Sequence, residues 1–140
     1  MLGLEYSGRT KYGERIAGIC KSRGLATATG ITLGMYFNVP DEWSLEEAAT
    51  VPIVYATCYY ALIIRACLQP GESILIHSGT GGIGQAAIHI ALSMNCEIYT
   101  TVGKYLFLFR FEHLENIHNF IVNISFLYFL FICLFIFDRN

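Results

Sequence analysis

The stretch that decides the fold is Ser73-Ile-Leu-Ile-His-Ser-Gly-Thr-Gly-Gly-Ile-Gly-Gln-Ala-Ala-Ile-His-Ile-Ala-Leu92. Ile74, Leu75 and Ile76 make the unbroken apolar run of a strand buried on both faces, within a strand expected over 73–77. Glycines follow at Gly79, Gly81, Gly82 and Gly84, meeting the spacing G-x-G-x-x-G. Ile83, Ala87, Ile90 and Ala91 then recur at helical intervals, which predicts a helix over 82–94 with Asn95 as a left-handed cap. Glu97-Ile-Tyr-Thr-Thr-Val102 reads as the next strand. The order is β-α-β, the first crossover of a doubly wound parallel sheet.

A glycine-rich turn between such a strand and helix seats the pyrophosphate of a dinucleotide on the helix N-terminus. Gly79 is expected to permit the tight turn, Gly81 to let the backbone approach the phosphates, and Gly84 to let the helix pack closely. Gly82 and Ile83 complete the candidate loop, and Ser78 and Thr80 offer hydroxyl donors. Past the second strand an acid would hold a ribose 2′-hydroxyl, whereas a basic group would hold a 2′-phosphate. The residues there are Thr100-Thr101-Val102-Gly103-Lys104, with no acid, so Lys104 points to NADPH.

The chain has 140 residues and a formal charge of −2, which argues against a nucleic-acid partner. Its hydrophobic content of 54% is high and uneven: of ten Phe, all but Phe37 lie after Val102. Cys20, Cys58, Cys67, Cys96 and Cys133 show no C-x-x-C pair and no histidine at a zinc-ligand spacing, so no metal site is expected. An odd count without a secretory leader reads as reduced thiols in the cytoplasm.

Ahead of the crossover, residues 1–40 are glycine-rich with short apolar runs. Ile16–Cys20 and Gly30–Phe37 read as strands, and Arg9, Lys11, Glu14 and Arg15 around Gly8 and Gly13 as a solvated hairpin. Ser44-Leu-Glu-Glu47 matches a capping box for a short helix through Ala49. Pro52 suits the first turn of a second helix, with Val54, Cys58, Ala61 and Leu62 on one face.

Three segments resemble the enoyl reductase domain of animal type I fatty acid synthase, in the medium-chain dehydrogenase/reductase superfamily. They are Gly3-Leu-Glu-Tyr-Ser-Gly8, Trp43-Ser-Leu-Glu-Glu-Ala-Ala-Thr-Val-Pro-Ile-Val-Tyr-Ala-Thr-Cys-Tyr-Tyr-Ala-Leu62, and Pro70 to Ala87. The resemblance covers residues 2–103. It implies an α/β chain: residues 1–40 as the end of a GroES-like substrate β-barrel, and 41–103 as the start of a Rossmann-type NADP-binding fold. The implied activity is zinc-independent. Hydride passes from NADPH to the β-carbon of a trans-2-enoyl thioester on acyl carrier protein, and a proton adds at the α-carbon. The resemblance also sets Tyr55, Thr57 and Tyr59 near the nicotinamide, with Thr57 as a contact, and admits a homodimer in the parent protein. The lysine and aspartate proposed as the family's proton donors have no counterpart here. Lys104 and Asp138 are not substitutes, and no catalytic residue is assigned.

Residues 104–140 depart from that pattern as an unrelated hydrophobic tail of Phe, Leu, Ile and Asn. Gly103-Lys104-Tyr105 can be encoded by GGT-AAG-TAT, which contains a splice-donor consensus, so translated intron is one expectation. Phe120–Phe137 is eighteen residues long, at the edge of a membrane span. Asn119, Asn123 and the lack of clustered Lys or Arg beside the run disfavour an anchor. The chain is thus expected to be an incomplete, inactive reductase fragment. The rivals are a piece of a stand-alone quinone oxidoreductase, against which His77-Ser78-Gly79 and Tyr59-Tyr60 weigh, and a non-catalytic membrane-associated or dimerising fragment.

Overall fold

The computed structural model describes residues 2–102, together with the backbone of residues 107–111 and 134–137. The chain divides into two compact units, Met1–Ala56 and Thr57–Asn140.

The first unit is built on a three-stranded antiparallel sheet. Strand β1 (Glu5–Arg9) pairs with β2 (Arg15–Ile19), and β2 pairs with β3 (Tyr36–Asn38). The charged hairpin read from the sequence is the β1–β2 turn, where the Thr10 hydroxyl accepts the N–H groups of Tyr12 and Glu14 at 3.2 Å each. The third strand is shorter than Gly30–Phe37. A turn closed by Met35 N–H on the Thr32 carbonyl at 3.0 Å, with Gly34 at φ +79, delays pairing to Tyr36. Tyr6, Ile16 and Cys20 form one small core, and Ala17, Val39 and Ala48 another.

Helix α1 (Leu45–Ala48) carries both halves of its capping box: Glu47 N–H donates to Ser44 Oγ at 3.1 Å, and Ser44 N–H to Glu47 Oε2 at 2.7 Å. Residues 41–56 pack with the sheet of the first unit. Arg15 donates to the carbonyls of Pro40, Asp41 and Trp43; Ser7 Oγ donates to the Leu45 carbonyl, and Ile53 N–H to Glu5 Oε2. Helix α2 (Pro52–Tyr59) starts at the proline, as expected, and the division between the units falls inside it.

In the second unit α2 runs on as a π-helical segment, Tyr60–Arg65, in which Ala66 N–H reaches back to the Ala61 carbonyl. Cys58 and Leu62 are the buried members of the expected face. Strand β4 (Ser73–Ile76), helix α3 (Gly82–Ser93) and strand β5 (Glu97–Val102) form the crossover, with β4 and β5 parallel and Ile74 opposite Ile98. Ile74, Ile76, Ile98 and Thr100 are wholly buried, whereas Leu75 is half-buried, so one face of β4 is closed more tightly than the other. Helix α3 packs its Ala86, Ala87, Ile88, Ala91 and Leu92 face inward; the expected Ile83 and Ile90 lie at the edges of that face. Asn95 adopts φ +56, the expected left-handed cap.

Part of the expected unrelated tail joins this sheet. Strand β6 (Phe107–Phe111) pairs antiparallel with β5, and β7 (Leu134–Phe137) antiparallel with β4, giving the order β6-β5-β4-β7. The physical reason is that a two-stranded parallel pair leaves a row of backbone donors and acceptors on each side, which further strands satisfy. The last four residues of the apolar run 120–137 are therefore strand, not part of a spanning helix. Its remaining residues, and Lys104 and Asp138, lie outside the described residues.

Candidate functional site

β4 ends at Ile76, and the chain turns through residues 77–81 into α3. The turn is made at Ser78, which takes φ +58, and not at Gly79. A left-handed backbone costs a non-glycine residue roughly 1–2 kcal/mol, and β5 supplies the compensating contacts. Ser78 N–H donates to Thr101 Oγ1 at 3.3 Å, Gly79 N–H donates to the Thr101 carbonyl at 3.1 Å, and His77 Nδ1 lies 2.9 Å from Thr101 Oγ1.

Gly79 is needed for space. A Cβ there would stand 2.1 Å from Thr100 Oγ1. Thr100 cannot yield readily, since it is wholly buried and its hydroxyl donates to the Ile76 carbonyl at 2.7 Å. The tight-turn role expected of Gly79 thus passes to Ser78. Gly84 keeps its expected role of close packing, but against the loop: its Cβ would meet the Ser78 carbonyl oxygen at 2.4 Å and Gly79 Cα at 2.7 Å.

Gly81 is the N-cap of α3, with extended φ −73 and ψ 159. A Cβ there would find its nearest neighbour among the described residues, the Ser78 carbonyl oxygen, at 3.5 Å. The missing side chain therefore relieves no crowding; it leaves the opening of the helix uncovered. Among the described residues no side chain caps α3, and no acid stands in its first turn. The first-turn N–H groups, from Gly82, Ile83 and Gly84, and the positive end of the helix dipole form a seat for an anion. Thr80 is fixed at its carbonyl by Gln85 Nε2 at 2.7 Å. These features fit the pyrophosphate of a dinucleotide.

Thr57 is exposed on α2. Beside it the Cys58 thiol donates to the Ile83 carbonyl at 3.2 Å, tying the helix that carries Thr57 to the first turn of α3. Burial pushes the Cys58 thiol up to about 11, so it stays protonated and acts as a donor. Among the described residues no group of three or more His, Cys, Asp or Glu is arranged to hold a metal ion.

Sequence reasoning placed Ser78, Gly79, Thr80, Gly81, Gly82, Ile83 and Gly84 together, and the structure brings them into one turn and helix start. It missed Thr100 and Thr101, which hold that turn from the neighbouring strand. Two adjacent threonines closing a strand beside a glycine loop were the available signal.

No family model matches the chain. Polyketide synthase GfsB of Streptomyces halstedii is 39% identical over 113 residues, 74% of this chain and 2% of that protein. The CurK enoyl reductase superposes with a TM-score of 0.68 at 32% identity, covering 74% of this chain and 34% of that one. The quinone oxidoreductase of Thermus thermophilus, solved also in complex with NADPH, gives a TM-score of 0.66 at 30% identity over 73% of this chain and 34% of that one. This chain thus spans about a third of those structures and a far smaller share of the synthase. It is homologous, over part of its length, to enoyl reductase domains of the medium-chain dehydrogenase/reductase superfamily. The multifunctional relative is a polyketide synthase, where the sequence resemblance pointed to the fatty acid synthase line.

Proposed function

We propose that this chain carries the cofactor-phosphate portion of an NADPH-dependent, zinc-independent enoyl reductase from a multifunctional reducing synthase. It would act in the cytoplasm on trans-2-enoyl thioesters borne by acyl carrier protein. The observation that carries this reading is the bare N-cap at Gly81, set between a glycine that admits no Cβ beside Thr100 and one that admits none beside Ser78. When bound, NADPH supplies the hydride. Gly82, Ile83 and Gly84 would receive its pyrophosphate through backbone N–H groups, Gly81 would let the phosphates approach because it carries no side chain, Ser78 and Thr80 would add hydroxyls, and Thr57 would lie toward the nicotinamide. Lys104 is proposed for the 2′-phosphate. GfsB favours a polyketide line over the fatty acid synthase line.

The chain binds and orients in this reading, and none of its residues is assigned proton delivery to the α-carbon. Titrating the full chain into NADPH and following nicotinamide fluorescence tests the proposal. Saturable binding with no turnover of a crotonyl thioester is the expected result, and no binding at millimolar NADPH overturns it. The quinone oxidoreductase reading draws on the superposition with the Thermus thermophilus enzyme. Carrier-protein and ketoreductase domains in the adjoining gene sequence would decide for the synthase.

A further inference from the structure

We propose that Thr101 is a positioning residue that presets the phosphate loop, and that the diphosphate is the part of the ligand that responds to it. The inference rests on the reading of the loop as a diphosphate seat. Strand alternation sends Thr100 and Thr101 to opposite faces of β5, and both grip the segment leaving β4. Thr100 is wholly buried, binds the Ile76 carbonyl and closes over Gly79. Thr101 serves the three residues that follow: its hydroxyl meets His77 Nδ1 and Ser78 N–H, and its carbonyl takes Gly79 N–H.

The consequence travels through Ser78. Its carbonyl accepts Gly81 N–H at 3.0 Å and lies where a Cβ on Gly84 would collide. The orientation of one peptide thus sets both the N-cap of α3 and the approach of its first turn. Ser78 lacks glycine's freedom at φ +58, so the Thr101 hydroxyl holds a conformation that the sequence of the loop does not favour locally. Donors fixed before the ligand arrives bind it at lower ordering cost. Removing the hydroxyl should let the Ser78 peptide relax and spread the amide groups of the seat.

The test uses the full chain, with Thr101→Val removing the hydroxyl at constant shape and Thr101→Ser restoring it. NADPH, inorganic pyrophosphate and adenosine 2′-monophosphate are titrated into each, and amide exchange is followed without ligand. Thr101→Val should weaken NADPH and pyrophosphate by about tenfold, the scale of one lost hydrogen bond. Thr101→Ser should stay within about twofold of the parent, and the monophosphate should be unmoved. Exchange should quicken at Ser78, Gly79 and the first turn of α3, but not at Ile88.

A Thr101→Val protein that keeps parental affinity and exchange overturns the proposal. So does equal weakening of all three ligands with exchange quickened throughout α3. Failure of the parent to bind NADPH, with exchange still quickened only at the loop, removes the cofactor reading and leaves the positioning of the loop intact. Should Thr101→Val not fold, the double variant with Ser78→Gly, which needs no anchor at positive φ, is expected to recover the fold; no recovery counts against the proposal.

Discussion

The carbonyl oxygen of Ser78 occupies the space a side chain on Gly84 would need, 2.4 Å from its Cβ position. The helix start and the loop thus pack with no room for a side chain between them. The same contact also ranks the glycines.

Gly84→Ala should lower the thermal midpoint most, because the obstructing atoms are backbone, and overpacking of this kind costs about 1–3 kcal/mol. Gly79→Ala should follow closely, since the buried Thr100 side chain must shift. Gly81→Ala meets nothing nearer than 3.5 Å and should leave the midpoint nearly unchanged while weakening NADPH binding. Thermal melts and NADPH titrations on the three variants check the order. A Gly81→Ala protein as unstable as Gly84→Ala would refute it.

Tyr6→Phe in the first unit should be neutral or mildly stabilising. The Tyr6 hydroxyl is buried and has no hydrogen-bond partner among the described residues, and burial raises its pKa. Ordinarily the change forfeits a hydrogen bond worth about 1 kcal/mol; here it removes an unpaired polar atom. Urea denaturation distinguishes the two outcomes by the sign of the midpoint shift.

Stability should fall as pH drops through the histidine range, and His89 should carry part of that slope. Its pKa is lowered in the folded chain because half-burial on α3 penalises the imidazolium. The unfolded chain therefore takes up a proton at higher pH than the folded one. The contribution is complete above about 6.5, the unfolded value, and is lost as pH falls toward the lowered folded value. Melts of the parent and His89→Gln between pH 8 and 5 should converge at the acid end. Parallel curves would show that His89 does not contribute.

Alkylation at pH 8 should separate the cysteines. Cys67 is exposed, whereas Cys58 and Cys96 are buried, and burial raises the thiol pKa of both. With Cys58 at about 11, roughly one molecule in a thousand is thiolate at that pH. Peptide mapping after brief iodoacetamide treatment should find Cys67 modified and Cys58 intact until denaturant is added. Early labelling at Cys58 would contradict the bond to Ile83.

Local chemistry was legible wherever it was self-contained. The capping box of Ser44 and Glu47 lies within one turn, Pro52 fixes a helix start by its own ring, and Asn95 caps α3 through its own tolerance of positive φ. The β-α-β unit was legible because the period of the apolar residues changes from strand to helix and back. What escaped was set by neighbours. Ser78 turns the loop only because Thr101 stands beside it, a relation between residues 23 positions apart. The demand on Gly79 comes from Thr100 on the next strand. The π-helical segment at Tyr60–Arg65 has no marking in its apolar sequence, and the pairing of β6 and β7 depends on edges that exist once β4 and β5 have met.

Those two strands carry a consequence for growth of the sheet. With β6 along β5 and β7 along β4, both lateral rims of the parallel pair are already taken by antiparallel neighbours. Further parallel strands of a doubly wound sheet could attach to this pair only by evicting one of them. Strands β6 and β7 thus close both sides of the parallel pair, and a strand offered in trans by another chain would compete with one of them for its rim.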